Sequence, residues 1–137
     1  MNNQLLVRIF SFGYLMSGIP TDESGHNGGF VFDCRFLPNP GREKQYMALT
    51  GKDNEVIEYL SDHKIVSHFL NHAFKIIDMA IENYQSRDFT SLMISFGCTG
   101  GQHRSVYCAE QCAAYLKSQN IRCEITHTEY PQLNDIK

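Results

Sequence analysis

The sequence predicts a single α/β domain over residues 1–137, in which helices cover a mostly parallel sheet of about four strands. Short apolar runs of strand length alternate with segments whose apolar residues recur every three or four positions. The last strand–loop–helix–strand unit fits a right-handed crossover between parallel strands. With 42% hydrophobic residues, a chain of 137 residues can bury one core without metals or disulfides.

The predicted elements follow in the order β, loop, β, α, α, β, loop, α, β. Strand patterns cover residues 5–10, 30–36, 92–96 and 121–127. Asp53 is a candidate N-cap for a short helix. His127 ends the last strand, either at the rim of a ligand pocket or on ordinary surface. The apolar stripe of a longer second helix comprises Ile65, Val66, Phe69, Leu70, Ala73, Ile76, Ile77, Ala80, Ile81 and Tyr84. The apolar face of the last helix comprises Val106, Ala109, Ala113 and Leu116.

The second predicted strand alternates with period two, so successive side chains point to opposite faces of the sheet. One face carries the apolar side chains Phe30, Phe32, Cys34 and Phe36. Asp33 and Arg35 share the other face, as an ion pair or pocket wall or as a plain pair on the sheet surface. Prolines at positions 38 and 40 end the strand, because proline cannot join a central ladder.

Composition and charge exclude several classes of protein. A net charge of −3 argues against binding of nucleic acid through bulk charge. No apolar run reaches the roughly 18–20 residues of a membrane helix, and Met1–Gln4 lack the basic start of a signal peptide. The five cysteines contain no C-x-x-C pair, which indicates free thiols in a reducing cytoplasm. Cys108 and Cys112 fit core residues, and His68 and His72 fit a solvated helix face. We therefore expect neither a metal nor a cofactor.

The stretch GCTGGQHRS lies between the apolar run at 92–96 and the next helical pattern. Parallel sheets bind ligands beyond the carboxyl ends of their strands, and this stretch occupies that place. Its glycines let backbone N–H groups converge on an anion, and the helix N-terminus adds partial positive charge. Thr99, His103 and Ser105 can add donors, and Arg104 offers a planar fork for two phosphate oxygens. The loop residues predicted for the phosphate pocket are Gly97, Cys98, Thr99, Gly100, Gly101, Gln102, His103, Arg104 and Ser105.

The same stretch permits a catalytic alternative. The spacing Cys98-x5-Arg104-Ser105 matches the C-x5-R-[ST] signature of cysteine-dependent phosphatases. There a thiolate, stabilised by the helix N-terminus, attacks phosphorus while the arginine holds the oxygens. A carboxylic acid protonates the leaving group, for which Asp33 is the first candidate and Asp22 the second. The other interpretation makes Cys98 a small wall of a binding pocket, and the loop by itself leaves both open.

Further segments occur in one order and, together with the loop, resemble the C-terminal domain of the RapZ family. These RNase adapter proteins are also described as nucleotide-binding proteins of the YvcJ type. The segments are SFG at 11–13, GIP at 18–20, FVFDCRFLPNP at 30–40, LTGKD at 49–53 and GCTGGQHRSVY at 97–107. The resemblance runs from about residue 5 to about residue 127.

The resemblance implies a phosphate-ligand pocket built from the loop, with Asp33, Arg35 and Asn39 at the neighbouring strand end. It also implies a domain that in some members senses an amino-sugar phosphate and binds small regulatory RNAs. It does not imply a phosphatase. The expected function is therefore a non-catalytic cytoplasmic module for a phosphorylated small metabolite, in the first place a sugar phosphate.

The chain departs from the family at several points. The N-terminal P-loop ATPase-like domain of full-length members is absent, so the chain is a stand-alone relative or a fragment, and a separate ATPase-domain protein is a candidate partner. Gly41-Arg42 stands where a His-Trp pair is common. RNA-binding members end in a basic cluster, whereas Thr128–Lys137 carries two acids and one lysine, which weakens the expectation of RNA binding. Full-length relatives are oligomers, and no membrane partner is expected.

Overall fold

The computed structural model describes residues 4–134 of the chain. The strands are β1 (Leu6–Gly13), β2 (Phe30–Asp33), β3 (Ser91–Cys98) and β4 (Cys123–His127). The helices are α1 (Asn54–Ser61), α2 (Lys64–Ser86) and α3 (Arg104–Ser118). Short 3-10 turns lie at Pro40–Arg42, Lys44–Tyr46 and Pro131–Leu133. The predictions made from Met1–Gln4 and from Thr128–Lys137 depend partly on residues 1–3 and 135–137, which lie outside the described residues.

All four strands pair in parallel, in the order β2-β3-β1-β4. This confirms the predicted α/β class and the predicted sheet of about four strands. In the register of the sheet, Gly13 lies opposite Cys98 and Asp33 lies opposite Gly97. The carboxyl ends of β1, β2 and β3 therefore meet at one edge, directly before the loop that leads into α3.

The core lies between one face of the sheet and the helices. Ile9 of β1, Leu60 of α1, Ile77 of α2 and Leu116 of α3 are all fully buried in it. On the opposite face of β1, Arg8 forms an ion pair of 2.7 Å with Asp22 from the loop between β1 and β2. Within residues 4–134, no helix combines the length and the apolar character needed to cross a bilayer.

Strand β2 is shorter than the period-two pattern predicts. It ends at Asp33, and the Leu37 N–H donates to the Cys34 carbonyl at 3.2 Å, which closes a turn. As a result Leu37 is buried, while Phe36 is 57% exposed instead of sharing the core face. The chain must leave the ladder before Pro38, because a proline lacks the N–H that the next pairing requires.

The apolar stripe of α2 is narrower than predicted. Its buried residues are Val66, Leu70, Ala73, Ile77 and Ile81. Ile65 and Ile76 are exposed, because only a narrow face of this helix packs against the rest of the domain. Asp53 occupies the predicted N-cap position of α1, but its carboxylate accepts the Thr50 N–H at 2.7 Å and no helical N–H.

Candidate functional site

The predicted loop lies where the sequence places it, beyond the carboxyl end of β3. The strand ends at Cys98 and α3 begins at Arg104, so residues 99–103 form the whole connection. The chain segment after β1 is hydrogen-bonded to the loop, since Tyr14 N–H donates to the Cys98 carbonyl at 2.8 Å and Leu15 N–H to the Thr99 carbonyl at 3.1 Å. These bonds fasten the loop to the end of β1.

Two glycines make this close approach feasible. A Cβ on Gly13 would lie 2.6 Å from the Gly100 carbonyl carbon, so no side chain fits between β1 and the loop. Gly101 has a φ of +72°, in the left-handed region that glycine adopts at little cost. Among the hydrogen bonds of residues 4–134, none is donated by the backbone N–H groups of 99–103. These groups are available to an external acceptor at the start of α3.

A cleft of about 260 Å³ opens over this loop. Its walls are Asn39, Gly41, Met47, Cys98, Thr99, Gly100, Gln102, His103 and Arg104. The other residues predicted for the site do not line this cleft. Gly97, Gly101 and Ser105 adjoin its walls in the chain, whereas Asp33 and Arg35 lie at and just after the end of β2, where Asp33 pairs with Gly97. Gly41 lies on the side of the pocket where the resemblance places a departure from the family, whereas Met47 was not predicted, because it belongs to an irregular segment without a local pattern.

Arg104 is the buried cation of the cleft, with only 5% of its surface exposed. One terminal nitrogen donates to the carbonyls of Arg35 at 2.8 Å and Leu37 at 3.2 Å, and the other lies 3.5 Å from the Thr99 hydroxyl. The buried Nε has no hydrogen-bond partner within residues 4–134. One terminal nitrogen of the guanidinium therefore holds the turn after β2. The other terminal nitrogen can donate to a ligand.

The hydrogen bonding of His103 does not fit its expected role as a donor to the bound anion. Its Nε2 lies 2.9 Å from the Tyr46 carbonyl, so Nε2 must carry the hydrogen that this bond needs. Burial lowers the pKa of His103 below its ordinary value, which favours the neutral ring. In that neutral tautomer Nδ1 is an acceptor, so His103 suits a ligand hydroxyl better than a phosphate oxygen.

Gln102 joins the loop to two distant segments. Its amide nitrogen donates to the carbonyls of Met47 at 2.8 Å and Leu49 at 2.7 Å. Its amide oxygen accepts the Tyr130 hydroxyl at 3.1 Å. With all these partners, Gln102 positions the walls of the cleft.

Cys98 is buried against the first turn of α3. Its sulfur lies 3.2 Å from the Ser105 hydroxyl oxygen and accepts the Ser105 N–H at 3.4 Å. The phosphatase alternative places its nucleophile here, in contact with Ser105. The thiol is only 3% exposed.

Neither Asp33 nor Asp22 lies in an environment that would keep it protonated as a general acid. Arg35 Nε and a terminal nitrogen bind the Asp33 carboxylate at 2.9 and 2.7 Å, and these bonds hold the pKa of Asp33 below its ordinary value. Asp22 accepts the Gly28 N–H at 2.7 Å and pairs with Arg8, and hydrogen bonds from backbone N–H groups, with that pair, lower its pKa strongly. Both carboxyl groups are therefore ionised at neutral pH and cannot donate a proton to a leaving group.

The Asp33–Arg35 pair forms as the ion-pair interpretation predicts. About half of each side chain is exposed, and the Arg35 guanidinium lies 3.8 Å from the centroid of the Tyr14 ring. The pair thus forms a surface brace beside the cleft, with Arg35 stacked on the segment that follows β1.

Two features of the site were missed from the sequence. Glu129 accepts the N–H groups of Gly13 at 3.0 Å and Ser17 at 3.1 Å, and the Ser17 hydroxyl at 2.8 Å. His127 is fully buried, at neither the pocket rim nor the surface, and bridges the Ser11 hydroxyl at 2.6 Å and the Glu110 carboxylate at 2.7 Å. No local pattern marks these contacts, since Glu129 lies 112 or more residues from its partners.

The part of the chain from 4 to 134 contains no group of three or more His, Cys, Asp or Glu side chains able to hold a metal ion. Cys108 and Cys112 are buried in the core, as predicted. His68 and His72 are exposed, and His72 Nδ1 bonds to the His68 carbonyl at 2.7 Å within the helix.

Comparison with known proteins agrees with the resemblance in the motifs. The family model of the RapZ C-terminal domain matches residues 5–131. A nucleotide-binding protein of Pseudothermotoga lettingae is 37% identical over 116 residues, which cover 85% of this chain and 40% of that protein. Nucleotide-binding proteins of Clostridium botulinum strain Hall and Thermotoga neapolitana are each 38% identical, over 94% and 90% of this chain and 42% of their own lengths.

The chain thus spans about two fifths of the length of these curated relatives. The family model covers nearly all of the described residues, including the whole sheet and the loop after β3. The chain belongs to the family of RapZ C-terminal domains.

Proposed function

We propose that this RapZ-like regulatory domain binds a phosphorylated small metabolite, a sugar phosphate, in the cleft over residues 98–105. One observation supports this most strongly: the backbone N–H groups of 99–103 have no acceptor within residues 4–134, and Thr99, Gly100, Gln102 and His103 of this segment line the cleft at the start of α3. A helix start and the buried Arg104 both favour a phosphate there.

The other walls of the cleft suit the sugar part of such a ligand. The His103 ring offers an acceptor at Nδ1, and Asn39 adds an amide whose oxygen accepts the Gly41 N–H at 2.9 Å. Met47 supplies an apolar wall. Alternating polar and apolar walls fit a ring that carries hydroxyl groups on a carbon frame.

A ligand panel tests the proposal. It contains glucose 6-phosphate, glucosamine 6-phosphate, AMP and inorganic phosphate, with unphosphorylated glucose as the negative control; AMP is included because the relatives are named nucleotide-binding proteins. Binding is measured by calorimetry in wild type, Thr99→Ala and the matched surface control Thr21→Ala. We expect a sugar phosphate to bind the wild type and the control alike, and Thr99→Ala more weakly. Equal affinity for glucose and glucose 6-phosphate would refute the proposal.

Arg104→Lys gives the sharper test, because lysine keeps the charge but loses the planar fork. Since Arg104 also holds two carbonyls, the variant must first show a wild-type circular dichroism spectrum and cooperative unfolding. We then expect at least about a tenfold loss of affinity for the sugar phosphate.

The contact between Cys98 and Ser105 keeps the phosphatase as a second candidate. Hydrolysis of an aryl phosphate that is lost in Cys98→Ser would establish it. The ionised state of Asp33 leads us to expect no turnover.

RNA is a candidate partner with weaker support, since the net charge is −3. A separate P-loop ATPase-domain protein is a further candidate partner. Binding to structured RNA that weakens steeply with added salt would support the RNA partner. Absence of binding near 50 mM salt would remove it.

A further inference from the structure

A second cleft, of about 450 Å³, adjoins the cleft over the loop. Asn39, Thr99 and Arg104 line both clefts, so the two clefts adjoin and share these walls. A ligand held at the loop therefore lies next to the second cleft.

The second cleft is lined by three arginines, Arg35, Arg42 and Arg104. Arg35 is paired with Asp33, and one terminal nitrogen of Arg104 donates to two backbone carbonyls. Among residues 4–134, the Arg42 side chain has neither a hydrogen bond nor an ion pair, so its guanidinium keeps its full set of donors.

Arg42 stands on a short, well-held turn. The Asn39 side-chain oxygen accepts the Gly41 N–H at 2.9 Å, and the Asn39 carbonyl accepts the Arg42 N–H at 3.3 Å. The turn therefore fixes the backbone of Arg42 directly beside a residue that lines both clefts.

One carboxylate, that of Glu43, also lines the second cleft. Its Oε1 accepts the Gln45 amide at 3.5 Å, and burial together with Glu43 raises the pKa of Tyr59, which keeps that phenol protonated as a donor. Asp33 neutralises Arg35, so Arg42 and Arg104 face the single acid Glu43 and the cleft keeps a net positive charge. The exposed Phe36 adds an apolar wall.

We propose that the second cleft is a subsite for a second anionic group of the same ligand, held chiefly by Arg42. The ligand class is then a small metabolite with a phosphate at the loop and a further phosphate a few bonds away, such as a sugar bisphosphate. This inference rests on the proposed function, because it takes the first phosphate to lie at the loop. An Arg–phosphate contact gives directional, bidentate recognition, so the subsite acts on specificity as well as on affinity.

The test compares two pairs of probes that differ by one phosphate: glucose 6-phosphate with glucose 1,6-bisphosphate, and fructose 6-phosphate with fructose 1,6-bisphosphate. Affinities are measured by calorimetry at 50 and 300 mM NaCl for wild type, Arg42→Gln and Lys44→Gln. Lys44→Gln is the matched control, since Lys44 is exposed, lies two residues away and does not line either cleft.

In at least one pair we expect the wild type and Lys44→Gln to bind the bisphosphate at least about fivefold more tightly at 50 mM NaCl, with a smaller advantage at 300 mM. Arg42→Gln should lose that advantage and keep its affinity for the monophosphate. Equal affinity within both pairs, or equal weakening of both probes by Arg42→Gln, would overturn the subsite alone. If no phosphorylated probe binds at all, the proposed function falls together with the subsite.

Discussion

Replacing Glu129 tests whether the segment after β4 holds the end of β1, to which the loop is bonded. The carboxylate accepts three hydrogen bonds, two from the N–H groups of Gly13 and Ser17 and one from the Ser17 hydroxyl. Glu129→Ala removes all three and leaves the buried Gly13 N–H without its acceptor. At about 1 kcal/mol for each bond, we expect a loss of about 3 kcal/mol in the free energy of unfolding.

Glu129→Gln should give a smaller loss. The amide oxygen can face the two N–H groups, and the amide nitrogen can donate to the Ser17 hydroxyl, so only the charge is lost. We expect this variant to lose about 1 kcal/mol. For a domain of this size, the two variants should lower Tm by about 10 °C and about 3 °C.

Urea and thermal unfolding followed by circular dichroism measure this series. Glu124→Ala is the matched control, because Glu124 is exposed on the neighbouring strand β4. If Glu129→Ala shifts Tm no more than Glu124→Ala does, the Glu129 carboxylate does not stabilise the end of β1 and the segment after it.

Three further predictions follow from particular contacts. Gly13→Ala should weaken sugar-phosphate binding about tenfold in calorimetry, because its Cβ would lie 2.6 Å from the Gly100 backbone and displace the loop. Asp22→Asn should lower Tm by about 5 °C at pH 7; because the native pKa of Asp22 is lowered, thermal scans should show this difference shrinking as the pH falls below about 4. Iodoacetamide followed by peptide mass spectrometry should label Cys123 before Cys112 in the native protein, because Cys112 is fully buried and burial raises its pKa strongly.

The fold could be predicted from the sequence because local patterns determine most of it. Apolar periodicity gave the order of the elements, and the strand–loop–helix–strand unit indicated parallel pairing. The period-two pattern overestimated the length of β2, because the proline that follows also limits the strand. Phe36 continues the alternation of β2, yet Pro38 forces the chain out of the ladder first, so the side chain that turns inward is Leu37.

The loop of the candidate site was also visible from the sequence, since its glycines, its arginine and the helix that follows are contiguous. The contacts that hold the end of β1, to which the loop is bonded, were not. Glu129 reaches Gly13 and Ser17, and His127 reaches Ser11, across the parallel pairing of β1 and β4. The tautomer of His103 likewise depends on the Tyr46 carbonyl, which belongs to an irregular segment with no periodic signal.

We propose that the N–H groups of residues 99–103 receive a phosphate. Titration of ¹⁵N-labelled protein with glucose 6-phosphate and glucosamine 6-phosphate, followed by two-dimensional NMR, tests this proposal. We expect at least one of them to give saturable shifts concentrated in the amides of 99–105 and in the Arg104 side chain. These shifts should be absent with the unphosphorylated sugars. Shifts that do not saturate, or that cluster away from the loop, would contradict it.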